Sequence, residues 1–199
     1  MCFCTLPVRN YAKINPSHHA GTGIRSLALS HIGRFQPPQP ITEEDIRRAI
    51  ESVEQLPSLL EQAVLNLDAT QLQTPHRPGG WTVQQVVHHL ADAHMQVYGR
   101  FKLALTEHQP TVKPFIEERW AELPDSRLLP VEISITLLHA LHRRWVFLMQ
   151  NMSRDDWQRS YYHPEQQRLF TLDWAACMYA WHGRHHLMHI VRLRERMGW

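Results

Sequence analysis

The 199-residue sequence contains only three cysteines, Cys2, Cys4 and Cys177. Three thiols cannot staple a chain of this length, and an odd count argues for a reducing compartment. Cys2-x-Cys4 also lacks the two-residue gap of a zinc knuckle or redox motif. No apolar run reaches the roughly 18 to 20 residues of a membrane span. Ser30 and His31 interrupt Leu27–Leu29 before it could act as a signal-peptide core. An excess of one charge is missing too: 21 Lys plus Arg face 19 Asp plus Glu, a formal net charge of +2. Such a balance does not mark a nucleic-acid or membrane-surface binder. Internal repeats and convincing alternating strand patterns are absent. The expectation is a cytoplasmic globular protein with neither nucleic acid nor membrane as partner. Hydrophobic residues at 43% and charged residues at 20% supply one core and exclude collagen-like or wholly disordered chains.

Histidine is the abundant residue, at 15 of 199, roughly three times an ordinary share. Its distribution depends on how the chain is organised. Residues 1–31 have no sustained periodicity and are expected to form a poorly ordered extension. Pro37-Pro38-Gln39-Pro40 follows as an extended linker. Thr42 then caps a first helix whose opening turn carries Glu43, Glu44 and Asp45. This helix is predicted to run to about Asn66, with Pro57 kinking or interrupting it.

Thr82 and Gln85 form a capping box, with Trp81 and Val86 as its hydrophobic staple, which starts a second helix over Val83–Glu107. Four prolines mark Gln109–Pro130 as a long connection, unusual unless it crosses over or covers a site. A third helix is predicted over Val131–Asn151, followed by a capped turn at Ser153 and Asp156. Tyr161–Phe170 reads as another connection. A fourth helix opens at Thr171 and closes at Gly198. Four amphipathic helices predict an all-α, four-helix bundle, and the long connection from helix two to helix three allows a crossover.

Helix four contains Trp181-His182-Gly183-Arg184-His185-His186-Leu187-Met188-His189, with two overlapping histidine pairs at i and i+4. The apolar stripe of Ala175, Ala176, Tyr179, Gly183, Ile190 and Leu193 places His186 near its middle and His182 on its shoulder. His185 points well away. Two imidazoles one turn apart on a buried face can chelate one metal ion. The plainer reading is a pair of hydrogen-bonded core histidines. On helix two, periodicity favours His94, near the centre of the stripe of Val83, Val86, Val87, Leu90, Val97 and Phe101. His89 lies at the stripe's edge and His88 away from it, so spacing puts a ligand on this helix without choosing it.

The residues quoted so far, together with Arg100-Phe101-Lys102-Leu103, Trp120, Leu141-His142-x-Arg144-Trp145, Tyr162-His163-Pro164 and Arg196-Met197-Gly198-Trp199, resemble the YfiT group of metal-dependent hydrolases. That group belongs to the DinB/YfiT-like superfamily of four-helix bundles, and the resemblance covers residues 32–199. It implies one divalent metal per subunit, zinc with nickel as the alternative, in a homodimeric cytoplasmic enzyme acting on a small molecule. Matched residue by residue, it implies His89, His182 and His186 as the metal ligands.

Three neutral imidazoles leave room for water or substrate, as in catalytic zinc sites. The helical glutamate of a His-Glu-x-x-His motif is missing, so the general acid or base is unassigned. Asp92, near His88 and His89, could orient a ligand, Trp181 could wall a pocket, and Tyr162-His163-Pro164 reads as a turn. The leading expectation is hydrolysis by metal-activated water. A thiol S-transferase using a low-molecular-weight thiol is the alternative at the same site, and a non-catalytic metal-binding module is a third class.

Overall fold

The computed structural model describes residues 33–199. The extension expected over residues 1–31, with Cys2 and Cys4, lies outside them. The chain runs through α1 (Glu43–Val64), α2 (Ala69–Leu72), α3 (Val83–Thr106), α4 (Glu117–Trp120), α5 (Pro124–Leu128), α6 (Val131–Gln150), α7 (Arg154–Trp157), β1 (Ser160–His163), β2 (Arg168–Thr171) and α8 (Leu172–Met197). The four long helices α1, α3, α6 and α8 form the bundle. Among the described residues no helix is long and apolar enough to cross a membrane.

Two of the four long helices, α1 and α3, begin at a capping box. At the start of α3, the Thr82 hydroxyl accepts from the Gln85 backbone N–H at 3.2 Å while the Gln85 side chain accepts from the Thr82 N–H at 3.0 Å. The same reciprocal box, Thr42 with Asp45, opens α1, and Ser153 with Asp156 opens α7. Gly198 closes α8 with φ 71°, a left-handed conformation that glycine adopts without a Cβ penalty.

Pro57 does not interrupt α1: it is buried inside the helix, which continues through it. A proline has no N–H to offer the carbonyl four residues back, which here belongs to Val53. His142 of α6 donates to that carbonyl at 2.6 Å, so tertiary packing supplies the hydrogen bond that proline withholds.

The order of packing corrects a second expectation. α1 lies against α8 and α6, and α3 lies against α6 and α8. Helices consecutive in sequence, α1 with α3 and α6 with α8, therefore stand diagonally. The crossings belong to the links that follow α1 and α6, whereas the long connection carrying α4 and α5 joins two neighbours. Tyr161–Phe170 is also more than a connection. β1 and β2 pair antiparallel, Ser160 opposite Thr171 and His163 opposite Arg168, with Tyr161 and His163 buried and alternating with half-buried neighbours. Four-residue strands are too short to announce a period of two.

The core falls into two apolar clusters. One gathers around Phe101, Trp145, Tyr161, Phe170 and Leu172, the other around Leu56, Leu60, Leu90, Leu138, Leu187 and Ile190. Along each long helix the clusters meet at one level, and that level is polar. α3 contributes His89 and His94 there, α6 His142, α8 His182 and His186, and α1 the Val53 carbonyl.

Gly183 sets how closely α8 approaches α1 at this level. A Cβ on it would overlap Leu56 Cδ2, and Leu56 is only 2% exposed. Gly183→Ala is expected to destabilise the protein by about 1–3 kcal/mol from overpacking, despite a helix-propensity gain of about 1 kcal/mol. A thermal melt checks it: an unchanged or raised Tm would show that Leu56 moves aside freely.

Candidate metal centre

Three imidazoles converge where α3 meets α8. The ligand atoms of His89, His182 and His186 all lie within 4.8 Å of one another. His89 Nε2 and His182 Nε2 are 3.3 Å apart. Two nitrogens on one tetrahedral zinc, each at about 2.0–2.1 Å, would stand about 3.3 Å apart, so the spacing fits a shared ion. His182 and His186 are one helical turn apart, and their rings meet edge to face at 4.5 Å.

Burial sets the charge state. It lowers the His89 imidazole to about 4. It also holds His182 and His186 well below the ordinary histidine range, with the neighbouring imidazoles adding to the effect. All three are therefore neutral at neutral pH, presenting lone pairs without first losing a proton. The Nδ1 atoms of His182 and His186 are buried without a hydrogen-bond partner among the described residues. Nitrogens of neutral imidazoles that face each other, as His89 Nε2 and His182 Nε2 do, are what a cation satisfies.

The wheel's ranking is reversed in one respect: His182, on the shoulder of the predicted stripe, is buried at 9% exposure, while central His186 is half-buried. His94, the periodicity candidate, is indeed at the core's centre, with 0% exposure. It does not join the trio. Its Nδ1 lies 2.9 Å from His142 Nε2. Because the Val53 carbonyl can only accept, His142 Nδ1 carries the proton. Burial lowers His142 to about 4, so its Nε2 is bare and accepts from His94 Nδ1–H. That chain fixes both tautomers and leaves His94 Nε2 without a partner among the described residues.

The other candidates have structural occupations. His88 Nε2 donates to the Leu129 carbonyl at 3.0 Å, and its Nδ1 accepts from Ser134 Oγ at 2.7 Å. His185 and His189 pack edge to face at 4.4 Å, and His76 stacks on His189 at 4.3 Å, beside the trio. Asp92 is not brought to a histidine by any hydrogen bond among the described residues; burial, helped by Asp125, pushes its carboxyl up to about 6. Trp181 stacks on His185 at 4.7 Å and donates to the Gly33 carbonyl.

The ring against the trio is Trp81, 4.6 Å from His89 and 6.2 Å from His186. Its place beside the α3 cap was readable as a staple, but nothing in the sequence showed that the indole also covers the histidines. Arg194 donates to the Ala63 and Leu65 carbonyls, and Arg196 to that of His76.

The family model that matches this chain is that of the DinB superfamily, over residues 52–190. The chain belongs to the DinB superfamily. The matched span includes every histidine of the buried layer. Relatives similar to this DinB-superfamily chain include proteins of Bacillus cereus (strain 03BB102) and Bacillus thuringiensis subsp. konkukian (strain 97-27), both named "Putative metal-dependent hydrolase". Each is 52% identical over 168 residues, covering 84% of this chain and 96% of the relative. Among solved structures, YfiT from Bacillus subtilis aligns with a TM-score of 0.82 at 45% identity, covering 84% of this chain and 96% of that one. It is described as "a probable metal-dependent hydrolase with an unusual four-helix bundle topology". The diagonal placement of sequence-adjacent helices fits that description.

Proposed function

We propose that this DinB-superfamily protein is a metal-dependent hydrolase whose metal is held by His89, His182 and His186. The observation that carries the reading is the convergence of three neutral imidazoles, two of them 3.3 Å apart. Zinc bound there, with nickel as the alternative, supplies a Lewis acid for a substrate carbonyl and lowers the pKa of water toward about 7.

The chain's own residues do the rest. His182 and His186 are rigidly spaced on one helix, and His89 closes the set from its neighbour, so ligand geometry follows from α3–α8 packing. Trp81 covers the histidines with an apolar ring and excludes bulk water, which strengthens electrostatic interactions inside the site. The chain from the Val53 carbonyl through His142 to His94 holds the adjoining imidazole layer in one tautomer.

The same reading takes the protein to be a cytoplasmic homodimer acting on a small molecule. Exposed Ile133, Leu137 and Phe147 on one face of α6 support a second copy there.

Metal-loaded protein is expected to hydrolyse members of an ester and amide panel in plain buffer, with turnover lost on chelation and restored by zinc. Turnover that requires an added low-molecular-weight thiol would overturn hydrolysis in favour of S-transfer. Stoichiometric metal without turnover under either condition would favour the non-catalytic module.

A further inference from the structure

Arg100, further along α3, is 7% exposed, yet among the described residues no ion pair includes it. A buried guanidinium is strongly unfavourable unless it is paired and hydrogen-bonded. Its hydrogen bond here goes to a neutral phenol, Nη1 donating to Tyr179 Oη at 3.1 Å. Its Cζ lies over the ring of Tyr161, 5.9 Å from the centroid. The Nε–H is buried with no acceptor among the described residues.

Tyr161 and Tyr179 are buried at 2% and 8% exposure. The Tyr179 phenol accepts from Arg100, and each phenol has its own O–H to donate. No acceptor for either O–H is found among the described residues. Glu117 of α4, whose carboxyl burial pushes up and the Arg100 charge pulls down, makes no ion pair with Arg100. Among the described residues the cluster therefore has a positive charge without an ion-pair partner and three donors without acceptors. An ionised carboxylate supplies both missing things, since it carries the charge and has about four acceptor positions.

This cluster adjoins the histidines. Tyr179 and His182 are three residues apart on α8, with ring centroids 5.5 Å apart, and Tyr179 is 5.7 Å from His94. One phenol ring thus separates the guanidinium from the candidate metal centre.

We infer that Arg100, Tyr161 and Tyr179 bind the carboxylate of an acidic small-molecule substrate and hold that molecule with its reacting end toward His89, His182 and His186. The inference rests on the metal-dependent reading for its reacting end and deepens it by naming a substrate class. Arg100 and the two tyrosines are then specificity residues, and uncharged analogues are poor ligands because they leave the buried guanidinium unpaired.

The test uses benzoate and succinate, with benzamide and succinamide as uncharged controls. Each is titrated by calorimetry into full-length protein, metal-free and with one equivalent of zinc. The carboxylates are expected to bind saturably and the amides not. Arg100→Gln is expected to weaken carboxylate binding by roughly ten- to a hundredfold, the loss of charge-assisted hydrogen bonds. Arg100→Lys, which keeps charge without the fork, should fall between.

Tyr161→Phe keeps the ring and its packing and loses only the hydroxyl. It is expected to weaken binding by roughly three- to tenfold, which keeps the test decisive if Arg100→Gln folds poorly. Equal carboxylate affinity in wild type, Arg100→Gln and Tyr161→Phe would overturn the inference, as would the absence of saturable carboxylate binding in both metal states. Zinc content measured on the same samples separates the two readings. Zinc uptake with unaltered anion binding in the variants sinks the carboxylate subsite alone, and lost anion binding in a protein that takes up no zinc sinks the metal centre alone.

Discussion

His89→Ala, His182→Ala and His186→Ala are each expected to abolish stoichiometric zinc binding, while His185→Ala leaves one zinc per chain. The three ligands share a binding free energy that reaches about 10–16 kcal/mol in small structural zinc domains. Removing one of three is therefore expected to weaken affinity by roughly three orders of magnitude. His185 provides the control because it sits on the same helix but packs on Trp181 and His189 outside the trio.

His94→Ala is the informative comparison on α3. It removes a fully buried ring that bonds His142, so its expected cost is stability, about 2–5 kcal/mol for a large-to-small core change, with the zinc retained. Denaturant unfolding measures the stability, and competition against a chelating dye, followed by elemental analysis, measures the zinc. Full zinc occupancy in His182→Ala would refute the centre. Loss of zinc in His94→Ala but not in His89→Ala would transfer the ligand role to His94.

Metal-free protein is expected to unfold steeply between about pH 6 and pH 4. Histidines of the unfolded chain take up protons near 6.5. In the folded chain burial holds His89 and His142 at about 4, and His94, His182 and His186 well below the ordinary range. Above pH 6.5 neither state is protonated at these positions and stability is at its full value. As pH falls from 6.5 to 4 only the unfolded chain gains protons, so stability is lost throughout that window.

His89 and His142 each withdraw about 3 kcal/mol by pH 4, and the other three add to this. Asp92, raised to about 6, works in the opposite direction, because its folded form takes up a proton first as the pH drops. Asp92 is only half-buried, so solvent screening discounts its effect, and it offsets part of one histidine. Against a total stability of about 5–15 kcal/mol, the histidine loss is decisive. Circular dichroism against pH, with chelator and with excess zinc, checks it. Zinc, binding the folded state, moves the midpoint to lower pH. A chelated protein still folded at pH 4 would show that the imidazoles gain protons inside the fold.

Helix boundaries were legible because local chemistry decides them. Thr82 with Gln85 and Gly198 each act within one turn of their own helix, and the i, i+4 spacing of His182 and His186 needs nothing beyond helix geometry. The proposed metal ligand on α3 was not decided by periodicity. A helical wheel ranks depth, and His94 is deepest, but a ligand is chosen by direction toward another helix. His89 faces α8 and His94 faces His142, a distinction that came from the family resemblance. The hairpin escaped notice because its strands have four residues each.

By itself, then, the sequence determined four amphipathic helices, their caps, a histidine-rich pair on the last of them, and a resemblance naming the third ligand. Tertiary structure alone decided that helices adjacent in sequence stand diagonally, and that α3 faces α8. It also decided that Val53, left without a helical donor by Pro57, is completed by His142. The physical reason is the same in each case: caps and spacing act over one turn, whereas a hydrogen bond between α1 and α6, or three nitrogens within 4.8 Å, exists only after separate helices have packed.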